Sequence, residues 1–170
     1  MLLTVGAVIL FGTFLISSNK LLINSIIVAD ESEYSMTAVS LAQSIIDEAK
    51  TKSFDEASIG KVITHRDSLT LALLLGPDTY AEQISGTDTL GSNGFQSMQK
   101  FDDIDDYKNY TRRVDTPEAE GFILETTVSY VSETDPDSPQ LLRTYCKRMT
   151  VTVTSPYISR EIVLSNSFAY

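Results

Sequence analysis

The chain has no tryptophan, one cysteine, one histidine and five prolines in 170 residues. A single cysteine excludes an intramolecular disulfide, so packing has to hold the fold. A single histidine excludes a histidine-rich metal centre. A Ser-His-Asp arrangement would have to be built around His65, which sits in the polar run Thr64-His65-Arg66-Asp67 and reads as a solvated loop. No proline precedes Pro77, so nothing before it forces a helix to break. Clustered positive charge is missing too. Lys61 with Arg66, Arg112 with Arg113, and Lys147 with Arg148 are scattered in a chain of net charge -10. That balance opposes binding to a phosphate backbone, and no nucleic-acid partner is expected. There is no phosphate loop, zinc-ligand spacing or dinucleotide fingerprint, and the pair Gly91 and Gly94 is too weak a signal to count. No enzymatic activity, cofactor or metal is expected on these grounds.

The most consequential scarcity is charge at the N-terminus. Residues 1–29 carry only Lys20, after which Asp30, Glu31 and Glu33 begin an acidic, water-soluble remainder. Leu2, Leu3, Val5, Val8, Ile9, Leu10, Phe11, Phe14, Leu15 and Ile16 lead to a polar step, Ser17, Ser18, Asn19 and Lys20. Leu22, Ile23, Ile26 and Ile27 then resume the apolar run. A membrane span takes about 20 apolar residues. Neither half reaches that alone, but the two together do. Three fates fit: a cleaved secretory signal, a permanent membrane anchor, or a helix held first in a membrane and later packed against copies of itself. A cleaved signal calls for a basic leading region and an Ala-x-Ala exit, and the sequence offers neither. The third fate is the expectation.

Helical spacing continues beyond residue 29. Tyr34, Ala38, Leu41, Ala42, Ile45, Ile46 and Ala49 recur on one face, with polar residues on much of the other. One helix from Met1 to Lys52 would be about 75 Å long. It divides into an apolar assembly or membrane segment, 1–29, and an amphipathic segment, 30–54. Gly12, Thr13, Ser17, Ser18 and Asn19 are poorer helix formers than Ala or Leu, which predicts a locally unwound stretch between Gly12 and Lys20.

Residues 55–170 form a globular, β-rich head. Up to Pro117 the pattern is mostly loops and short elements. Leu69, Leu71, Leu73, Leu74 and Leu75 read as a short helix or a buried strand ended by Gly76-Pro77. Phe122 to Val131 alternates, a turn region follows at 133–139, and Tyr145, Lys147, Met149, Val151 and Val153 alternate again. A third strand runs from Ile158 to Phe168. The fold class is α+β: a long N-terminal helix packed on an antiparallel sheet.

Four carboxylates, Asp102, Asp103, Asp105 and Asp106, crowd one segment. They offer calcium-type oxygen ligands, but the alternating pattern with a central glycine and a distal glutamate is absent, so a solvated acidic loop is the plainer reading. Asn109-Tyr110-Thr111 is a glycosylation sequon, which makes Asn109 a candidate acceptor. Cys146 alternates within a strand and reads as a small buried hydrophobe.

The long N-terminal helix followed by a β-rich head resembles the type IV pilin and pseudopilin superfamily. The resemblance is carried by Ala38-Val39-Ser40-Leu41-Ala42-Gln43-Ser44-Ile45-Ile46-Asp47-Glu48-Ala49 at the helix end, leading to Ser53-Phe54-Asp55-Glu56. Phe101-Asp102-Asp103-Ile104-Asp105-Asp106-Tyr107 and the strand from Tyr145 to Thr154 also look like segments of pilin heads. It implies a structural subunit of an extracellular, cell-surface filament, anchored in the inner membrane before assembly. Its implied partners are copies of itself, the pilus assembly machinery and that membrane. It also leaves room for a minor pseudopilin of a secretion or DNA-uptake apparatus, or for an anchored surface domain that never polymerises. Three departures stand out. Pilins typically have a glutamate where this chain has Val5. Many have a proline where it has Leu22, and many close a C-terminal disulfide. The lack of a basic leader reads as a processed form or an atypical precursor.

Overall fold

The computed structural model describes residues 2–170, with side chains from residue 4 onward. Helix α1 (Leu2–Ala49) runs unbroken for 48 residues, roughly 72 Å at the α-helical rise. The unwound stretch expected between Gly12 and Lys20 is not there; those residues are helical. Poor propensity costs at most about 1 kcal/mol per residue, and extending an existing helix avoids the unfavourable nucleation step. Hydroxyls inside the helix are also satisfied locally. Thr13 donates to the Leu10 carbonyl at 2.9 Å and Ser40 to the Met36 carbonyl at 3.0 Å.

The sheet has five strands in sequence order: β1 (Asp88–Thr89), β2 (Thr111–Val114), β3 (Phe122–Tyr130), β4 (Cys146–Thr154) and β5 (Ile162–Ala169). The pairings β2–β3, β3–β4 and β4–β5 are antiparallel. Strand β1 pairs with β2 in parallel, making the sheet mixed. This is an α+β fold. The last three strands form the meander that the alternation predicts, although residues 131–145 between β3 and β4 make a longer loop than a tight turn.

Register assigns the faces. Leu124 lies opposite Val153, Thr126 opposite Val151, Val128 opposite Met149, and Tyr130 opposite Lys147. Side chains two apart share a face, so this set forms the core side. The other side carries Thr127, Thr150, Thr152 and Ser165, with the Thr150 and Ser165 hydroxyls 2.8 Å apart. Against the core side lie Ala38, Ala42, Ile45, Ile46 and Ala49 of α1, all buried. Three alanines in that stripe let the helix axis approach the strands closely.

Residues 69–75 are neither helix nor strand. They form turns in which Leu69 and Leu75 are buried while Leu71, Leu73 and Leu74 face outward. Five leucines in seven positions fit both periodicities, and the chain here is too short and too close to Gly76 to realise either one. Asn109 adopts φ of 60° just before β2, a left-handed conformation that asparagine tolerates better than most residues.

Enlarging the helix–sheet contact checks this packing. Ala42→Leu should destabilise the head by about 1–3 kcal/mol through overpacking, read as a lower urea midpoint with an unchanged slope. An unchanged midpoint would mean that α1 is not seated on the sheet.

Candidate functional site

The assembly residues expected from the sequence whose side chains are described lie on the part of α1 that stays exposed. Val5, Val8, Ile9, Leu10, Phe11, Phe14, Leu15, Ile16, Leu22, Ile23, Ile26 and Ile27 are each at least 50% exposed. The side chains of Leu2 and Leu3, like Met1, lie outside the described residues. An apolar surface this long far exceeds the few hundred Å² that monomeric proteins leave in contact with water. Among the described residues, α1 is the one helix long and apolar enough to cross a membrane.

The head takes hold of the helix at Glu31. The Glu31 carboxylate accepts hydrogen bonds from the Ser159 amide at 3.1 Å and from the Ser159 hydroxyl. Those bonds hold the Glu31 pKa below the usual glutamate value. Three residues on, the Tyr34 and Tyr157 rings meet with centroids 5.1 Å apart. The β4–β5 connection thereby clasps the helix where its apolar half ends, leaving a groove beside Ile27 and Asp30.

The far end of α1 is held by charge. Glu48 accepts from Arg112 of β2 at 2.6 Å, from the Tyr107 hydroxyl at 2.8 Å and from the Ser97 hydroxyl at 2.7 Å. The Arg112 guanidinium also donates to the Tyr110 hydroxyl at 2.7 Å and lies 4.0 Å from the centre of the Phe95 ring. Asp88 accepts from Tyr110 at 2.8 Å and from the amides of Gln96 and Ser97, which fixes the short helix α2 (Ser97–Lys100). Burial, reinforced by the Glu48 charge, pushes the Tyr107 phenol far above its usual value. In this network every charge has a partner, as burial requires.

A second buried charge lies on β4. Lys147 is 0% exposed. Its ammonium donates to the Phe54 carbonyl at 2.8 Å, Asp55 Oδ2 at 2.8 Å and Asp105 Oδ1 at 2.5 Å. The Phe54 and Tyr130 rings lie 4.8 Å and 5.3 Å from it. Asp55 is richly solvated by protein: the amides of Ala57 and Thr70, the Thr70 hydroxyl and the Tyr130 hydroxyl all donate to it. Burial would raise the Asp55 pKa, but Lys147 and these donors outweigh it and hold the carboxyl below its usual value. Asp105 goes the other way. Burial dominates, and the pKa rises despite Lys147. Its Oδ2 is buried without a hydrogen-bond partner among the described residues.

The segment 102–106 is therefore not the solvated acidic loop that composition suggests. Only Asp102 is exposed; Asp103, Asp105 and Asp106 are buried. Asp106 accepts from the amides of Asp102 and Asp103, and Asp103 accepts from the amide of Asp106 at 3.1 Å. Burial lifts Asp106 to about 7. Burial, with Asp105 and Asp106 alongside, lifts Asp103 to about 9. Among the described residues no group of three or more such side chains is arranged to hold a metal ion.

No family model, curated protein or solved structure matches this chain. Its function has to be argued from its own residues. His65 is exposed at the start of the short turn 66–68, and Cys146 is buried. Asn109 is exposed, and its backbone N–H donates to the Thr126 carbonyl at 3.1 Å. The buried charges that composition did not reveal are Glu48, Arg112, Asp55 and Lys147. One signal for them exists: Lys147 is in phase with Met149, Val151 and Val153, so the strand period alone places its side chain in the core.

Two outcomes follow. Arg112→Met removes the cation and leaves Glu48 buried and unpaired, which should cost about 3–5 kcal/mol, measured by chemical denaturation; the Glu48→Gln/Arg112→Met double variant should recover part of that loss. The second outcome concerns pH. Asp103 and Asp106 have folded-state values of about 9 and 7, above the usual 3.8. The folded head thus holds protons that the unfolded chain releases. Their contribution is fully present below about pH 4 and is lost as pH climbs through 7 and then 9. Asp55 acts in the opposite sense, losing its contribution as pH falls below the usual carboxylate range. Stability should peak in mild acid and decline toward pH 9. Asp106→Asn should reduce the slope in mild acid, between the usual carboxylate range and neutrality, by about one proton; an unchanged slope would refute the assignment.

Proposed function

We propose that this chain is a structural subunit of an extracellular type IV pilus-like filament that polymerises through α1. The observation carrying this reading is the continuity of the helix. A rod with exposed apolar side chains on all its sides runs without a joint into a helix half whose one face is the core of the head. In this reading the apolar half rests in the inner membrane and is then transferred to a bundle of like helices, while the heads form the outer layer. Burying a large apolar side chain from water is worth about 1.5–3 kcal/mol. Lipid already provides that shelter, so packing among helices adds little and extraction falls to the assembly machinery. Val5 does not supply the carboxylate that pilins typically use for registration. Lys20 is the one charged side chain in residues 4–29, and among the described residues it makes no ion pair.

Ile9→Asp places a carboxylate in the middle of the most apolar run. An unpaired buried charge costs several kcal/mol, and the cost recurs in every subunit. Surface filaments should vanish from electron micrographs while the near-ultraviolet circular dichroism of the head is unchanged. Normal filaments from this variant would instead favour the anchored, non-polymerising domain. Lys20→Ala should weaken filaments if the ammonium is paired between subunits in the bundle. Abundance in sheared surface material separates a major subunit from a minor pseudopilin.

A further inference from the structure

The contact between Lys147 and Asp105 has the makings of a covalent bond. Lys147, Asp55 and Asp105 are all 0% exposed. The Lys147 nitrogen lies 2.5 Å from Asp105 Oδ1 and 2.8 Å from Asp55 Oδ2. The aromatic rings of Phe54 and Tyr130 stand beside that nitrogen. The two carboxylates have opposite surroundings. Asp55 collects donors from Ala57, Thr70 and Tyr130, which keep it ionised at rest and so able to accept a proton. Asp105 has the lysine on Oδ1 and the Asp103 carboxyl within side-chain hydrogen-bonding reach, and its Oδ2 is buried with no hydrogen-bond partner among the described residues. A buried, unpaired carboxylate oxygen is costly.

We propose that Lys147 and Asp105 condense into an intramolecular amide, with Asp55 as the base that serves the nitrogen and Asp103 as the acid that serves Asp105. Asp55 takes one proton from the Lys147 ammonium. Asp103 hands its proton to Asp105, converting that carboxylate to a carboxylic acid. The free amine pair attacks the Asp105 carbonyl carbon, and the C–N bond forms as one C–O bond breaks. The departing hydroxyl takes the proton held by Asp55 and leaves as water. The nitrogen keeps one proton and returns the other through Asp55 to Asp103. The sum is an ammonium and a carboxylate giving an amide and one water, with no oxidant or co-reactant. The raised pKa of Asp103, driven by burial, is consistent with its holding the required proton at neutral pH.

The geometry supplies what this reaction lacks in water. Two reacting groups held in contact replace an intermolecular encounter, an advantage that reaches 10⁵–10⁸ M in effective concentration for well-oriented cases. The apolar walls keep out water that would hydrolyse the product. The reaction also removes the feature that the ion pair leaves unresolved. If Oδ2 is the oxygen that departs, the orphaned atom leaves with the water, Oδ1 stays as the amide carbonyl, and the new amide N–H points to Asp55. The bond would join the turn before β2 to the first part of β4. In a chain with one cysteine it would provide the covalent closure that a disulfide gives elsewhere.

Intact-mass measurement of the full chain under denaturing conditions tests the idea directly. The protein should be lighter than its sequence mass by one water, and proteolysis should yield a branched peptide linking Asp105 to Lys147. Lys147→Arg should keep its full mass. Asp55→Ala, which retains both bonding partners, should stay mostly unlinked. Asp105→Asn should still react but release ammonia, so its mass deficit should be one ammonia, which a succinimide at a neighbouring aspartate would not reproduce. A wild-type chain at full sequence mass after days at neutral pH overturns the proposal without depending on whether any variant folds. A water loss that maps to other residues overturns it equally. Full linkage in Asp55→Ala would remove Asp55 from the mechanism.

Discussion

One helix has to serve two environments along a single axis, and the rest of the molecule is arranged around that constraint. Residues 4–28 of α1 are unsuited to water on every side, while residues 31–49 are unsuited on one side only. A joint between them would let each half find its own partner. The chain has none, because no proline or glycine punctuates the junction and the polar residues there bond locally, as Ser35 does to the Glu31 carbonyl at 2.8 Å. Whatever covers the first half is therefore rigidly indexed to the head. For a polymer this is useful: the axial position and rotation of each head follow from how its rod packs.

The head answers the same constraint by gripping the helix at both ends of its amphipathic half. At Glu31 the grip is light, made of hydrogen bonds to Ser159 and a tilted pair of tyrosines at the surface. At Glu48 it is heavy, made of a buried ion pair with Arg112 and two further hydroxyl donors. Buried ion pairs contribute little net stability against an apolar substitute, but breaking one is costly. Their use here is positional. Glu48 can be satisfied only when β2, α2 and the turn at 105–107 are all in place, so seating the helix end and completing the head are one event. Lys147 repeats the device a few residues on, joining Phe54 and Asp55 just after the helix to Asp105 and the sheet.

The parts of this design that were legible in the sequence are those set by long periodicity. The helix, its buried stripe and strands β3 to β5 follow from spacing, because each pattern runs long enough for one period to exclude the other. Strand β1 escaped because two residues carry no period, and β2 because its four residues include Arg112 and Arg113, which look solvated. The same bias misplaced the aspartates at 102–106. Composition treats four acids together as a surface, yet three are buried, because neighbouring backbone amides meet Asp103 and Asp106 while Lys147, 42 positions away, meets Asp105. Glu48 and Arg112 lie 64 positions apart, so no local window pairs them. The unwinding expected at Gly12 to Lys20 is absent for a different reason: single-residue propensities carry none of the cooperativity of a helix already extended on both sides.

The placement of the grips bears on how such a subunit would carry load. The helix lies against β4 and β5 and crosses to the charged cluster at its C-terminal end. Tension on the apolar rod would pull α1 lengthwise along the sheet rather than peel it away. In that direction the apolar contacts, the Glu31 clasp and the Glu48 cluster resist together instead of yielding one after another. Peeling from the Glu31 end would meet the weak grip first and the strong one last. A fold that had only to hold the helix in still water would gain nothing from placing its most demanding ion pairs at the end farthest from the exposed rod. A subunit tied to its neighbours through that rod would gain a head that stays folded even where peeling frees the lighter clasp.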